Sequence, residues 1–96
     1  MQGELQFEWD ETKAQINLEK HGVSFVTAAA IFLNEMLERV DDREDYGEDR
    51  FIALGRVGME VYRVVFTRPG ENLIRIITAQ KAGRNEQEIY YSEIFP

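Results

Sequence analysis

FIALGRVGMEVYRVVFTRPGENLIRIITA, residues Phe51 to Ala79, decides the fold. Three apolar segments stand in it, Phe51 to Val57, Val61 to Thr67 and Leu73 to Ala79. Each is rich in the branched and aromatic side chains that suit a pleated, half-buried surface. Gly58 marks a tight reversal after the first segment and Pro69-Gly70 another after the second, so the spacing predicts three consecutive strands in an antiparallel meander.

Upstream of the meander, Met36 to Val40 reads as a further short strand, followed by a polar loop from Asp41 to Asp49. Before it the period changes from two to about 3.6. Ser24 is a helix cap, and Phe25, Ala28, Ala29, Phe32 and Leu33 fall on one helical stripe that faces a core. An earlier helix starts at Asp10, its cap, and stops at Gly22, with Lys20 and His21 at the negative end of its dipole. Leu5, Phe7 and Trp9 alternate ahead of it as an opening strand, and Asn85 to Ile94 reads as a short terminal helix. The predicted order is β-α-α-β-β-β-β-α. That order defines an α+β domain in which two helices pack on one face of an antiparallel sheet, with a short C-terminal helix.

The 96 residues suffice for one small core, so a single domain over residues 1–96 is expected. With no cysteine, disulfides, thiolate metal sites and a cysteine nucleophile are excluded. The longest apolar run, Ala28 to Leu33, falls far short of the roughly 20 residues that span a bilayer, and the N-terminus lacks a basic segment followed by an apolar one. A cytoplasmic, membrane-free protein is expected.

The net charge of −7 argues against unspecific binding to nucleic acid, but it is unevenly spread. Residues 35–50 hold eight acids and three bases, whereas residues 51–96 hold five acids and six bases. The acidic stretch reads either as a solvated loop and edge strand or as a docking surface for a basic partner. The C-terminal half has the means for a local basic surface.

No glycine-rich phosphate loop, paired metal-spaced histidines or serine elbow occurs, so no cofactor or metal is implied. The single histidine, His21, is the natural residue type for proton transfer near neutral pH, and beside Lys20 in the last turn it reads also as a partner for the helix dipole. Arg75 interrupts Leu73, Ile74, Ile76 and Ile77. A guanidinium there either clamps phosphate or pairs with an acid such as Glu8 or Glu60, and Arg63 in the preceding strand has the same two readings. Lys81 and Arg84 follow the last strand, where exposed cations usually serve solubility. Tyr90 and Tyr91 read as packing residues of the terminal helix.

Three stretches taken together resemble the BrnT family of ribonuclease toxins. They are Phe7-Glu8-Trp9-Asp10-Glu11 with Lys13 and Asn17, Lys20-His21-Gly22-Val23-Ser24-Phe25 with Ala28 and Phe32, and Arg75-Ile76-Ile77-Thr78-Ala79-Gln80-Lys81-Ala82 with Glu86 and Tyr90. Lys-His-Gly followed by Ser-Phe is the most specific piece. The resemblance implies a RelE-like fold, metal-independent cleavage of RNA, and neutralisation by an antitoxin that carries the DNA-binding function, so that DNA is met only through that partner. It implies a catalytic set of His21, Lys13, Lys20, Arg75 and Gln80, with Arg63, Lys81 and Arg84 along the RNA. His21 is then assigned to proton transfer or substrate orientation, and the cations to phosphate positioning.

One position departs from the family pattern. Where that pattern reads Ile-Ser-Ala-Arg, this chain reads Ile-Thr-Ala-Gln, so Gln80 stands in place of an arginine. Simple alternation puts Gln80 on the face of Ile74, Ile76 and Thr78, at the strand end. The missing charge supports a second expectation, a binding module that holds its antitoxin without efficient cleavage.

Overall fold

The meander is present as β3 (Arg50–Val57), β4 (Glu60–Gly70) and β5 (Leu73–Lys81) in the computed structural model, which describes residues 4–96. The first three residues of the expected domain lie outside the described residues. β3 and β4 pair antiparallel from Phe51 opposite Phe66 to Val57 opposite Glu60. Gly58 turns the chain at a φ of 60°, a left-handed conformation that branched side chains avoid. The second reversal falls at Glu71 and Asn72, two residues beyond the expected Pro69-Gly70, and is closed by the Gly70–Leu73 pair.

β2 (Met36–Asp41) pairs antiparallel with the outer side of β3, and β1 (Gln6–Glu8) pairs with β5, giving the order β1-β5-β4-β3-β2. The β1 pairing is parallel, so the expected antiparallel sheet is in fact mixed. A parallel neighbour demands a long crossover, and here everything between β1 and β5 serves as one. The direction of a three-residue edge strand leaves no mark on its own sequence.

α1 (Glu11–His21) is capped as read: the Asp10 carboxylate accepts from the Lys13 N–H at 3.0 Å, and Gly22 closes the helix at a φ of 70°. α2 (Phe25–Ala30) is capped by Ser24, whose hydroxyl accepts from the Thr27 N–H at 3.0 Å. The apolar stripe does not continue to Leu33, however. The chain tightens into a 3₁₀ turn over Ile31–Leu33, whose three-residue period brings Ile31 under Ala28. Ile31 is fully buried and Leu33 is 85% exposed. α3 (Arg84–Ile94) starts one residue earlier than expected, after Gly83, whose N–H donates to Glu86 Oε1 at 3.0 Å.

The two helices pack on one sheet face. Phe25, Ala28 and Ile31 meet Ala53, Val64, Phe66, Ile74, Ile76 and Ala79 there, and Phe7, Phe32, Phe66 and Phe51 form a chain of ring contacts across it. α3 covers one end of the opposite face, where Tyr90 packs with Val61 and Ala82.

A β-bulge in β5 controls which residues reach each face. Val65 opposes Thr78 while Phe66 opposes Ile76, so Ile77 has no partner. Ile74 and Ile76 therefore point to the α1/α2 side, whereas Thr78 and Gln80 point to the α3 side with their partners Val65 and Arg63. The expectation that Gln80 shares a face with Ile74 and Ile76 is corrected by this extra residue, which inverts the alternation.

Candidate active site at the seam of α1 and β5

β1 pairs with β5 only as far as Arg75, and beyond that point α1 takes the place of a strand along the edge. The contact is made by a side chain. Asn17 Nδ2 donates to the Ala79 carbonyl at 2.8 Å and to the Val23 carbonyl at 3.0 Å, and Asn17 Oδ1 accepts from the Ala79 N–H at 3.1 Å. Lys13, Asn17 and Lys20 are four and three residues apart, so they share one helix face and the two cations follow the amide to the seam.

A shallow cleft of about 300 Å³ opens there, lined by Lys13, Ile16, Asn17, Lys20, His21, Arg50, Ile77 and Thr78. The structure thus brings together Lys13, Lys20 and His21 of the expected set, and adds Arg50. Among the described residues no ion pair includes any of these four. Phosphate would meet cations that no carboxylate already neutralises.

Arg50 is held from behind. Its guanidinium lies 4.1 Å from the centre of the Tyr46 ring, a cation–π contact, and its Nε is buried with no hydrogen-bond partner in the chain. Tyr46 Oη donates in turn to Asp41 Oδ2 at 3.3 Å. Asp41 is buried and receives two hydrogen bonds of 2.7 Å from Arg43, which hold its carboxyl down at about 2 against an ordinary 3.8. Sequence reasoning passed over Arg50 because it closes an acidic run and reads as part of a solvated loop.

The remaining expected residues lie elsewhere, and the cations among them are paired. Arg75 faces the α3 side and bonds Glu8 through Nε at 2.5 Å, one of the two acids proposed for it. Gln80 stands opposite Arg63, which reaches Glu86 at 3.4 Å. Lys81 turns to the other face and approaches Glu60 at 3.8 Å, and Arg84 is 92% exposed on α3 with Glu88 at 3.9 Å. None of the five lines the cleft. The register nevertheless gives the α3-side face a run of arginines, Arg39, Arg50, Arg56, Arg63 and Arg75, on four adjacent strands. Two of the five, Arg63 and Arg75, are already paired with Glu86 and Glu8. Among the described residues no three histidine, aspartate or glutamate side chains are grouped to hold a metal.

By fold and site the chain is a small helix-on-sheet α+β domain with a histidine and cations free of ion pairs at its seam. The chain belongs to the family of BrnT ribonuclease toxins of type II toxin–antitoxin systems, which it matches over residues 9–86. The crystal structure of the Brucella abortus ribonuclease toxin, BrnT, is similar, with a TM-score of 0.64 and 28% identity, covering 83% of this chain and 99% of that one. No curated protein sequence matches the chain significantly. Membership in a type II system implies a cognate antitoxin as partner. Among the described residues no helix is long and apolar enough to cross a membrane.

Proposed function

We propose that the protein is a metal-independent, RelE-type endoribonuclease of the cytoplasm, and that it cleaves RNA in the cleft between α1 and β5. The observation that carries this reading is the gathering of His21 with Lys13, Lys20 and Arg50, cations without acidic partners, in one cleft. RNA supplies its own nucleophile. His21 takes the proton of the 2′-hydroxyl as that oxygen attacks phosphorus, the bond to the 5′-oxygen breaks, and the leaving oxygen is protonated from solvent. The product is a 2′,3′-cyclic phosphate. Lys13, Lys20 and Arg50 stabilise the charge that grows on the phosphoryl oxygens, and Arg50 presents a fork that matches two of them.

The strand then approaches over the arginine face, past Arg75, Arg63 and Gln80, while Lys81 and Arg84 contact it peripherally. An antitoxin that covers this cleft suppresses cleavage. With divalent ions chelated, wild-type protein is expected to cut RNA and leave cyclic phosphate ends, and His21→Ala to lower the rate by about 10²-fold or more. An undiminished rate in His21→Ala would overturn the assignment. A second reading, an antitoxin-binding module with little activity, rests on Gln80, which is uncharged where the family pattern has arginine. Antitoxin binding without cleavage by the wild type would favour it.

A further inference from the structure

Asn17 is the buried residue of α1, 5% exposed in a helix whose other polar side chains face solvent or the cleft. Its carboxamide offers two donor hydrogens and two acceptor lone pairs, and three of these four are used. Two of the bonds go to the N–H and the C=O of one residue, Ala79. That is how an adjoining strand engages its neighbour, so the amide substitutes for a strand where β1 has ended. Ala79 is 1% exposed, and its backbone groups would otherwise be costly orphans. The third bond holds the carbonyl of Val23, directly after the glycine that closes α1.

One side chain therefore ties three things together: the sheet edge, the middle of α1, and the turn that follows Lys20 and His21. The bulge at Ile77 lies two residues from the clamped Ala79, and it is what turns Thr78 toward the α3 side, where it lines the cleft opposite α1. Bulges often re-aim side chains beside active sites. Here the bulge and the amide act on the same short length of β5.

We infer that Asn17 is a positioning residue of the nuclease: it sets the separation between His21 and Lys20 on one wall of the cleft and Thr78 and Arg50 on the other. The inference rests on the reading of the cleft as the site of cleavage. Small displacements of a proton-transfer group are expensive in rate, whereas the attraction of lysines for phosphate changes little over the same distance. Loss of the clamp should therefore appear in kcat and hardly in KM.

The test compares wild type with Asn17→Gln and Asn17→Ala, using purified full-length toxin and one RNA oligonucleotide. Active concentration is determined by titration with the antitoxin, so rates refer to folded molecules. Asn17→Gln keeps the amide but sets it one methylene farther out, and its bonds can re-form only if α1 moves. Both variants should lose about tenfold or more in kcat with KM changed less than about threefold, and the His21 ring resonances should shift in NMR spectra. A kcat per folded molecule equal to that of wild type, or unmoved His21 resonances, overturns the inference. If Asn17→Ala does not fold, Asn17→Gln decides alone. If wild type itself cleaves nothing, the reading of the cleft falls, and the His21 resonances still show whether Asn17 positions that side chain.

Discussion

Arg50 and Arg75 carry the same guanidinium on the same sheet face, yet only one is free to meet a ligand. Glu8, brought beside Arg75 by the parallel pairing of β1, neutralises it, while Arg50 has only the Tyr46 ring behind it. Arg50→Ala should therefore weaken RNA cleavage more than Arg75→Ala, by about tenfold or more in kcat/KM for the loss of a charged donor. The Arg75–Glu8 pair is about two-fifths exposed on both sides, so breaking it should cost no more than about 1 kcal/mol of stability. Equal losses of activity in the two variants would contradict this ranking. Arg75's pairing was legible in the sequence as one of two named alternatives. The placement of Arg50 was not, because it depends on an aromatic ring four residues earlier folding back over it. Gln80 stands beside Arg63 and outside the cleft, so Gln80→Arg should lower KM and steepen its dependence on salt while leaving kcat nearly unchanged. A rise in kcat instead would place Gln80 among the reacting groups.

The helices were largely readable because their ends are written in single residues: Asp10 and Ser24 bond to the N–H groups three positions on, and Gly22 takes the left-handed turn. Two features at this scale were not readable. The bulge arises from how β4 and β5 settle against each other, and nothing in Ile76-Ile77-Thr78 marks which residue is to be left over. The 3₁₀ turn arises from a close approach: a Cβ placed on Gly55 would lie 2.6 Å from the Cβ of Ile31. The 3₁₀ turn packs on β3 because that position has no side chain. Gly55→Ala should accordingly destabilise the fold by about 1–3 kcal/mol through overpacking, seen as a lower thermal midpoint. A midpoint matching the wild type would show that the turn can shift outward freely.

For the whole molecule, charge gathers in two regions, a sheet face that bears five arginines, two of them from the acidic stretch 35–50, and an acidic loop that follows Asp41, the buried last residue of β2. Hydrogen bonds from Arg43 lower the Asp41 carboxyl from 3.8 to about 2, so on acidification the unfolded chain takes up this proton before the folded one does. The stability contributed by the pair is thus complete above the ordinary carboxylate range and is lost as pH falls from about 4 toward 2. Asp41→Asn should flatten this part of the curve of thermal midpoint against pH, and an unchanged curve would exclude Asp41 as its source. The strand order has a consequence for how the toxin comes into being. The cleft needs residues 13–21 from the start of the chain and residues 50, 77 and 78 from much later, while β1 waits for residues 73–75 to complete its pairing. A polypeptide still emerging from the ribosome cannot close this cleft before residues 73–78 have been made, so chains arrested before Leu73 should cleave no RNA when released. The interval in which an antitoxin must arrive therefore opens only after those residues have left the ribosome and folded.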